Sequence, residues 1–184
     1  MALVSALLLT LVLGSLLAAA ALLAALERQT AAAHHVSATL RQIAEGGVVL
    51  AAEELRRREW APLLEGAGSD QWRGPISAWA RVPELTAALE RETMMAGAHG
   101  ADTPSWRLFT EAPWRDVAGH PARGELIVWV ADDWEERDGD PGRDSNGWLL
   151  VRAGAVDGPA VAWCEALVRR ENDGRVRARH VRVW

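Results

Sequence analysis

The chain has 184 residues, a net charge of −5, ten tryptophans and a single cysteine. This length is sufficient for one membrane helix and one globular domain of about 125 residues, within the usual domain size. The negative net charge disfavours nucleic acid and anionic membrane surfaces as partners of the soluble part. A lone cysteine cannot form an intramolecular disulfide, so we predict that Cys164 is a buried thiol.

The first 26 residues carry no charged side chain and consist mainly of Leu, Ala and Val. As a helix rising about 1.5 Å per residue they would reach about 39 Å, which exceeds the roughly 30 Å hydrocarbon core of a bilayer. An isolated strand cannot satisfy its backbone hydrogen bonds in lipid, so a helix is the expected structure. Residues 1–26 are therefore predicted to form a transmembrane segment.

A secretory signal peptide is the competing interpretation of residues 1–26. Such a peptide has a basic residue before an apolar run of about 7 to 15 residues, whereas here the run is longer and no Lys or Arg precedes it. Cleavage near residues 18–21 would leave an exported soluble domain. The composition favours a retained anchor over this alternative.

Residues 27–59 are predicted to continue the helix as an amphipathic segment, because apolar residues recur at steps of three to five with charged residues between them. The apolar series is Val36, Leu40, Ile43, Gly47, Leu50 and Leu55. The pattern predicts one helix from near residue 2 to about residue 58, whose second half packs on the following domain. Gly46 and Gly47 each cost about 1 kcal/mol relative to Ala in a helix interior. The pair therefore predicts close packing by a neighbouring element or a local bend.

Residues 60–184 are predicted to form one globular domain. Residues 60–124 are irregular and rich in Gly, Pro and Trp, with a short helix expected at 83–96 because Pro83 and Glu84 suit a first helical turn. Strands are predicted at 125–131, 148–152 and 160–169, and a last strand follows the turn at 173–174, with a bulge near His180. The fold class is α+β: a long N-terminal helix packed on an antiparallel sheet of about four strands. Most of the tryptophans are expected in the core and the sheet.

Three stretches of the chain resemble the bacterial type IV pilin-like proteins, and among them the PilX-type minor pilins. The start, MALVSALLL at 1–9, is similar to the mature N-terminus of such proteins after their leader has been removed. The helix motif of the family is similar to AEGGV at 44–48 and AAEELR at 51–56. Its acidic loop and the following strand are similar to DD at 132–133, DGDP at 138–141, DSNG at 144–147 and EALVRR at 165–170. Residues 60–120 carry no part of this likeness.

The resemblance implies a pilin-like fold and a structural subunit that primes or caps a type IV pilus or the related type II secretion filament. Its partners would be other pilins through the N-terminal helix, inner-membrane lipid before assembly, the pilus assembly platform and the prepilin peptidase. Met1 would be the processed and methylated residue, and the globular domain would be periplasmic. Major pilins have Glu at the fifth mature position, where this chain has Ser5. A subunit without that carboxylate is expected at the filament tip or in the priming of assembly.

The acidic segment between the first two predicted strands offers oxygen ligands of the kind that calcium prefers. Asp138, Asp140, Asp144 and Asn146 alternate with small residues, so that one short loop could wrap an ion. The spacing departs from the twelve-residue helix-flanked calcium loop, because the closing Glu is missing and a proline interrupts it. The alternative is a solvated hairpin loop made of turn-forming residues. Calcium is the one cofactor that the sequence suggests.

No catalytic constellation is found in the sequence. His34 and His35 are adjacent, so they point about 100° apart on a helix and cannot share one ion. The other histidines are far apart, the serines lack a nucleophile-elbow context, and no Gly-rich phosphate loop follows a strand. We predict that the protein is not an enzyme. The alternative to a filament subunit is a membrane-anchored extracytoplasmic binding or adhesion domain whose Trp-rich segment contacts a ligand.

Overall fold

A computed structural model of the chain describes residues 2–66, 81–96, 103–119, 123–136 and 138–184. The helices are α1 (Ala2–Leu55), α2 (Ala61–Leu64), α3 (Val82–Ala96) and α4 (Trp114–Ala118). The strands are β1 (Arg107–Pro113), β2 (Glu125–Asp132), β3 (Trp148–Asp157), β4 (Ala160–Arg170) and β5 (Val176–Val183). The chain divides into two compact units, residues 1–38 and residues 39–184. The predicted α+β class, with a long N-terminal helix and an antiparallel sheet, is confirmed.

The first unit is the N-terminal part of α1, and its described side chains from residue 3 to residue 38 are all exposed. Its few polar side chains bond to the helix itself, since the Thr10 hydroxyl donates to the Leu7 carbonyl at 2.9 Å and the Ser15 hydroxyl to the Val12 carbonyl at 2.8 Å. Among the described residues, α1 is the one helix that is long and apolar enough to cross a membrane. The transmembrane prediction is thus supported by length and composition.

The second unit contains a five-stranded antiparallel meander in which each strand pairs with the next along the chain. Gly174 at φ 78° makes the turn before β5, a conformation that costs little only for glycine. Glu165 pairs with Arg182 and Leu167 with Arg179, so β5 has one more residue than β4 in this interval. This is the bulge predicted near His180.

The helix-facing side of the sheet packs against residues 40–55 of α1. Leu40, Ile43, Val48 and Leu55 are at most 2% exposed there. They belong to one core cluster with residues of β2, β3 and β4, in which β3 and β4 contribute both large and small side chains. The strand members are Leu126, Val128, Val130, Leu149, Val151, Ala153, Ala155, Ala162, Cys164, Ala166 and Val168. Small strand residues let the helix axis come close to the sheet, so this side forms a dense core.

The Gly46-Gly47 pair lies where α1 packs tightly against its neighbours. A Cβ atom at Gly46 would come within 2.6 Å of the Trp114 ring, and one at Gly47 would overlap the Leu126 side chain and lie 3.1 Å from the Ala153 Cβ. Of the two alternatives predicted for the pair, close packing is therefore the one that applies.

The C-terminal end of α1 is held by Arg170 at the end of β4. Its Nη2 donates to the carbonyl oxygens of Leu55 at 3.1 Å and Arg58 at 2.5 Å, and its guanidinium lies 4.2 Å from the Trp60 ring centroid. The last turn of α1 has no basic residue of its own. A cation from the sheet thus satisfies carbonyls that a helix end leaves unpaired.

The opposite side of the sheet is covered by α3, so β2 is buried on both faces and its sequence is a continuous apolar run. Trp129 donates its indole N–H to Thr86 at 2.9 Å, and Trp106 donates to Thr93 at 2.7 Å. These bonds fix α3 on the sheet while satisfying two polar groups that burial would otherwise leave unpaired.

Two sequence expectations need correction or qualification. The segment 60–124 was predicted to hold one helix, but it also contains α2, α4 and the edge strand β1. Trp60, Trp106 and Trp129 are buried in the core as expected, whereas Trp134 and Trp184 are more than 40% exposed. Trp72 and Trp79 lie outside the described residues.

Candidate functional site

The loop between β2 and β3 is the most strongly acidic part of the second unit. Antiparallel pairing of Asp132 with Leu149 brings the two ends of this loop together. Carboxylates from both ends of the loop can therefore meet, although they are distant in sequence.

Three of the predicted calcium ligands use their side-chain oxygens to form turns. The Oδ1 atom of Asp138 accepts from the Asp140 amide at 2.9 Å, and the Oδ1 atom of Asp140 accepts from the Gly142 amide at 3.1 Å. Asn146 accepts from the Trp148 amide at 2.8 Å. All three residues are exposed. This is the turn-forming behaviour that the sequence offered as the alternative to ion binding.

The structure instead groups Asp132, Glu136 and Asp144. Each offers a carboxylate oxygen, and these oxygens lie within 4.8 Å of one another. Asp132 is 3% exposed and Glu136 is 6% exposed, while Asp144 is partly buried. Of the four predicted ligands, Asp144 alone belongs to this cluster, which we call the acidic cluster.

Backbone and side-chain hydrogen bonds orient the loop around the acidic cluster. The Ser145 amide donates to both carboxylate oxygens of Glu136, at 2.9 and 3.1 Å, and the Gly147 amide donates to Asp144 at 2.7 Å. Asp133 accepts from the Asn146 side-chain amide at 2.8 Å. The carboxylates are thus held in place by the fold before any ligand arrives.

The electrostatics of the acidic cluster favour neutralisation. Burial raises the pKa of Asp132 to about 7, and the nearby charge of Glu136 acts in the same direction. Burial likewise raises the pKa of Glu136 and of Asp144. The hydrogen bond from Ser145 to Glu136 and the one from Gly147 to Asp144 act in the opposite direction and lower these pKa values. Like charges in a desolvated place are costly, so protons or a cation are needed to compensate them.

Sequence reasoning missed Asp132 and Glu136 as members of one cluster. Asp132 is the last residue of the apolar strand β2, and its position makes its side chain buried. A carboxylate that ends a strand buried on both faces, directly before an acidic loop, was the available signal. Glu136 had no comparable signal, because its burial depends on the path of the loop.

A second candidate region is an open cavity of about 440 Å³ on the α3 side of the sheet. Trp106, Trp134 and Trp184 contribute to its lining, together with Arg152 and Glu165. Aromatic surfaces beside a few charged groups are typical of small-molecule sites.

Arg152 is the buried cation of this cavity, at 3% exposure. Its guanidinium carbon lies 4.6 Å from the Trp184 ring centroid and 5.1 Å from that of Trp163. It donates to Glu92 at 2.8 Å and lies 3.6 Å from a carboxylate oxygen of Glu165. Burial raises the pKa of Glu165, while the nearby positive charge of Arg152 acts in the opposite direction.

Of the two N-terminal residues that the sequence analysis singled out, only Ser5 lies within the described residues. Met1 lies outside the described residues. Ser5 lies in α1 with its side chain exposed, among the leucines of the apolar segment.

No protein-family model matches this chain, and no curated protein or solved structure matches it. Its function is therefore inferred from its residues and their geometry.

Proposed function

We propose that this protein is a pilin-like structural subunit that primes or caps the assembly of a type IV pilus or a related type II secretion filament. The observation that supports the proposal is α1. One helix of 54 residues has an exposed apolar N-terminal part and a C-terminal part with a buried stripe from Leu40 to Leu55. Such a helix suits a chain that is stored in the inner membrane and then packs with other helices.

The exchange from lipid to filament is physically accessible for this segment. Leu3, Leu7, Leu11 and Leu17 are at least 60% exposed, so their apolar surface is available to lipid or to neighbouring helices. Lipid tails and helix surfaces of this kind are about equally apolar, so association depends on close packing and not on a hydrophobic driving force. Gly14 has no side chain and borders open space, so the backbone of a neighbouring helix could approach α1 closely at this position.

A substitution at Gly14 can distinguish a subunit that assembles into a filament from a protein that is only anchored in the membrane. Gly14→Leu adds apolar volume without any clash in this chain, so membrane insertion should be retained while packing against neighbouring helices is obstructed. Val12→Leu is the matched control, since it changes an exposed apolar residue without removing a small one. The measurement is the amount of each variant in the membrane fraction and in sheared filaments.

The expected result is a wild-type level of Gly14→Leu in the membrane and a strong depletion from filaments, with Val12→Leu normal in both. If the wild-type protein is absent from filaments, or if Gly14→Leu enters them at the wild-type level, the assembly proposal is wrong.

The second candidate function is a membrane-anchored binding or adhesion domain that does not enter a filament. The cavity lined by Trp106, Trp134, Trp184 and Arg152 favours it. Trp134 and Trp184 are 41% and 43% exposed, and large exposed aromatic side chains are typical of contact surfaces. On this hypothesis Trp184→Ala would abolish surface binding by intact cells, whereas Gly14→Leu would leave it unchanged. The opposite pattern favours the filament subunit.

A further inference from the structure

We propose that Asp132, Glu136 and Asp144 form a binding site for one calcium ion. Their carboxylate oxygens lie within 4.8 Å of one another. Calcium lies about 2.4 Å from each of its oxygen ligands, so two oxygens that bind the same ion are at most about 4.8 Å apart. The three carboxylates are therefore close enough together to bind one calcium ion.

A second observation, independent of the clustering, points to a missing ligand. Asp132 is only 3% exposed, and within the described part of the chain its buried Oδ1 atom has no hydrogen-bond partner. Buried polar atoms are paired in the great majority of cases, and a bound water or ion is one explanation for an exception. The carboxylate that carries this oxygen belongs to the acidic cluster.

The charge around the acidic cluster is unbalanced in the described part of the chain. No described Arg forms an ion pair with any of the three carboxylates, and the Arg170 guanidinium, whose charge favours ionised Asp144, is engaged by two backbone carbonyls. Three desolvated carboxylates without a cation repel one another. A divalent ion would remove most of this repulsion.

Calcium fits the donor set better than the alternatives. Three carboxylates in an irregular loop can be completed by backbone carbonyls and water to the six to eight oxygens that calcium takes. Magnesium requires near-octahedral geometry at about 2.1 Å and usually keeps several of its waters, so a largely buried group of three carboxylates suits it less well. Zinc is bound mainly by nitrogen and sulfur, and the cluster offers neither.

Bound calcium would join the two ends of the β2–β3 loop. Asp132 ends β2, while Asp144 lies four residues before the start of β3 and Glu136 lies between them. The loop would then be fixed through the ion as well as through its hydrogen bonds. We expect the effect on stability to be confined to the native state, because the three residues converge only after folding.

The test uses the full chain in detergent, stripped of metal with EDTA and then melted with and without about 5 mM CaCl₂. For a site of the moderate affinity common in extracellular modules, calcium should raise the Tm by about 3 to 6 °C. Calorimetric titration with CaCl₂ should give one ion per chain. The same concentration of MgCl₂ is the ionic control and should give a smaller rise.

Three variants locate the site. Asp132→Asn and Glu136→Gln keep a side-chain oxygen that can accept the existing hydrogen bonds but remove a charge, so both should lose the calcium-dependent rise. Asp140→Asn is the matched control, because Asp140 is an exposed loop carboxylate outside the cluster and Asn preserves its turn. It should keep the full rise.

Absence of a calcium effect on the wild-type protein would overturn the proposal. A rise that persists in both Asp132→Asn and Glu136→Gln would also overturn it, because the ion would then bind elsewhere. An equal rise with MgCl₂ would overturn the assignment to calcium. If Asp132→Asn does not fold, Glu136→Gln alone decides the matter.

Discussion

The Gly46-Gly47 pair allows a quantitative test of how α1 packs on the sheet. Gly47→Ala adds a methyl group that would overlap the Leu126 side chain and lie 3.1 Å from the Ala153 Cβ, which is fixed to the backbone of β3. Overpacking of a dense core costs about 1 to 3 kcal/mol, while replacing Gly by Ala in a helix gains about 1 kcal/mol. The net expectation is a destabilisation of about 1 kcal/mol.

Gly46→Ala is the matched comparison, one position earlier in the same helix. The added methyl group would meet the outer edge of the Trp114 ring, which is only partly buried and can move. The helix propensity gain should then dominate, so Gly46→Ala is expected to be neutral or up to about 1 kcal/mol more stable than wild type. The two neighbouring substitutions should therefore have different effects.

Urea unfolding of the detergent-solubilised full chain, followed by tryptophan fluorescence, measures both variants. With a slope of about 1 to 3 kcal/mol per molar urea, the midpoint of Gly47→Ala should fall by about 0.3 to 1 M. An increase in the Gly47→Ala midpoint equal to that of Gly46→Ala would show that the sheet yields to the helix and that the dense contact does not limit stability.

Three further predictions follow from individual side chains. Arg170→Lys should lower the free energy of unfolding by about 1 to 2 kcal/mol, because one ammonium group cannot reproduce the guanidinium bonds to the carbonyls of Leu55 and Arg58. Urea unfolding would measure the loss. Burial raises the pKa of the Cys164 thiol to about 11, so a thiol reagent at pH 8 should react only after unfolding, and rapid reaction of the native protein would contradict this. In EDTA, the wild-type protein should lose stability as the pH rises from about 4 to 7, because folding raises the pKa of Asp132 from 3.8 to about 7 and so favours its protonated form. Asp132→Asn has no such group, so its stability relative to wild type should increase over this range. The gain is at most about 4 kcal/mol, and a pH-independent difference in unfolding free energy would refute it.

Periodicity in the sequence was sufficient to predict most of the fold. The apolar series ending at Leu55 predicted α1 and most of its buried stripe, although Val36 at the start of the series is exposed. The bulge predicted near His180 is present in β5. The edge strand β1 was missed because it ends at Pro113 and buries the polar residues Thr110 and Glu111. A strand with this composition lacks the apolar alternation by which strands are recognised.

The candidate site could be predicted only in outline. The sequence indicated an acidic loop at the right place, but the alternation of Asp138 and Asp140 reflects turns that each side chain forms with the following backbone. Such local bonds depend on neighbouring residues and are visible in sequence. The meeting of Asp132 with Asp144 depends on the pairing of β2 with β3, which brings distant residues together.

β5 is an edge strand of the sheet, and its residues Arg177, Arg179 and Arg182 are exposed. The unpaired N–H and C=O groups of an edge strand can pair with a strand of another chain. Two copies approaching through β5 would bring rows of guanidinium groups together, and their repulsion would oppose the union. The charges of β5 therefore act against pairing of two sheets through this strand.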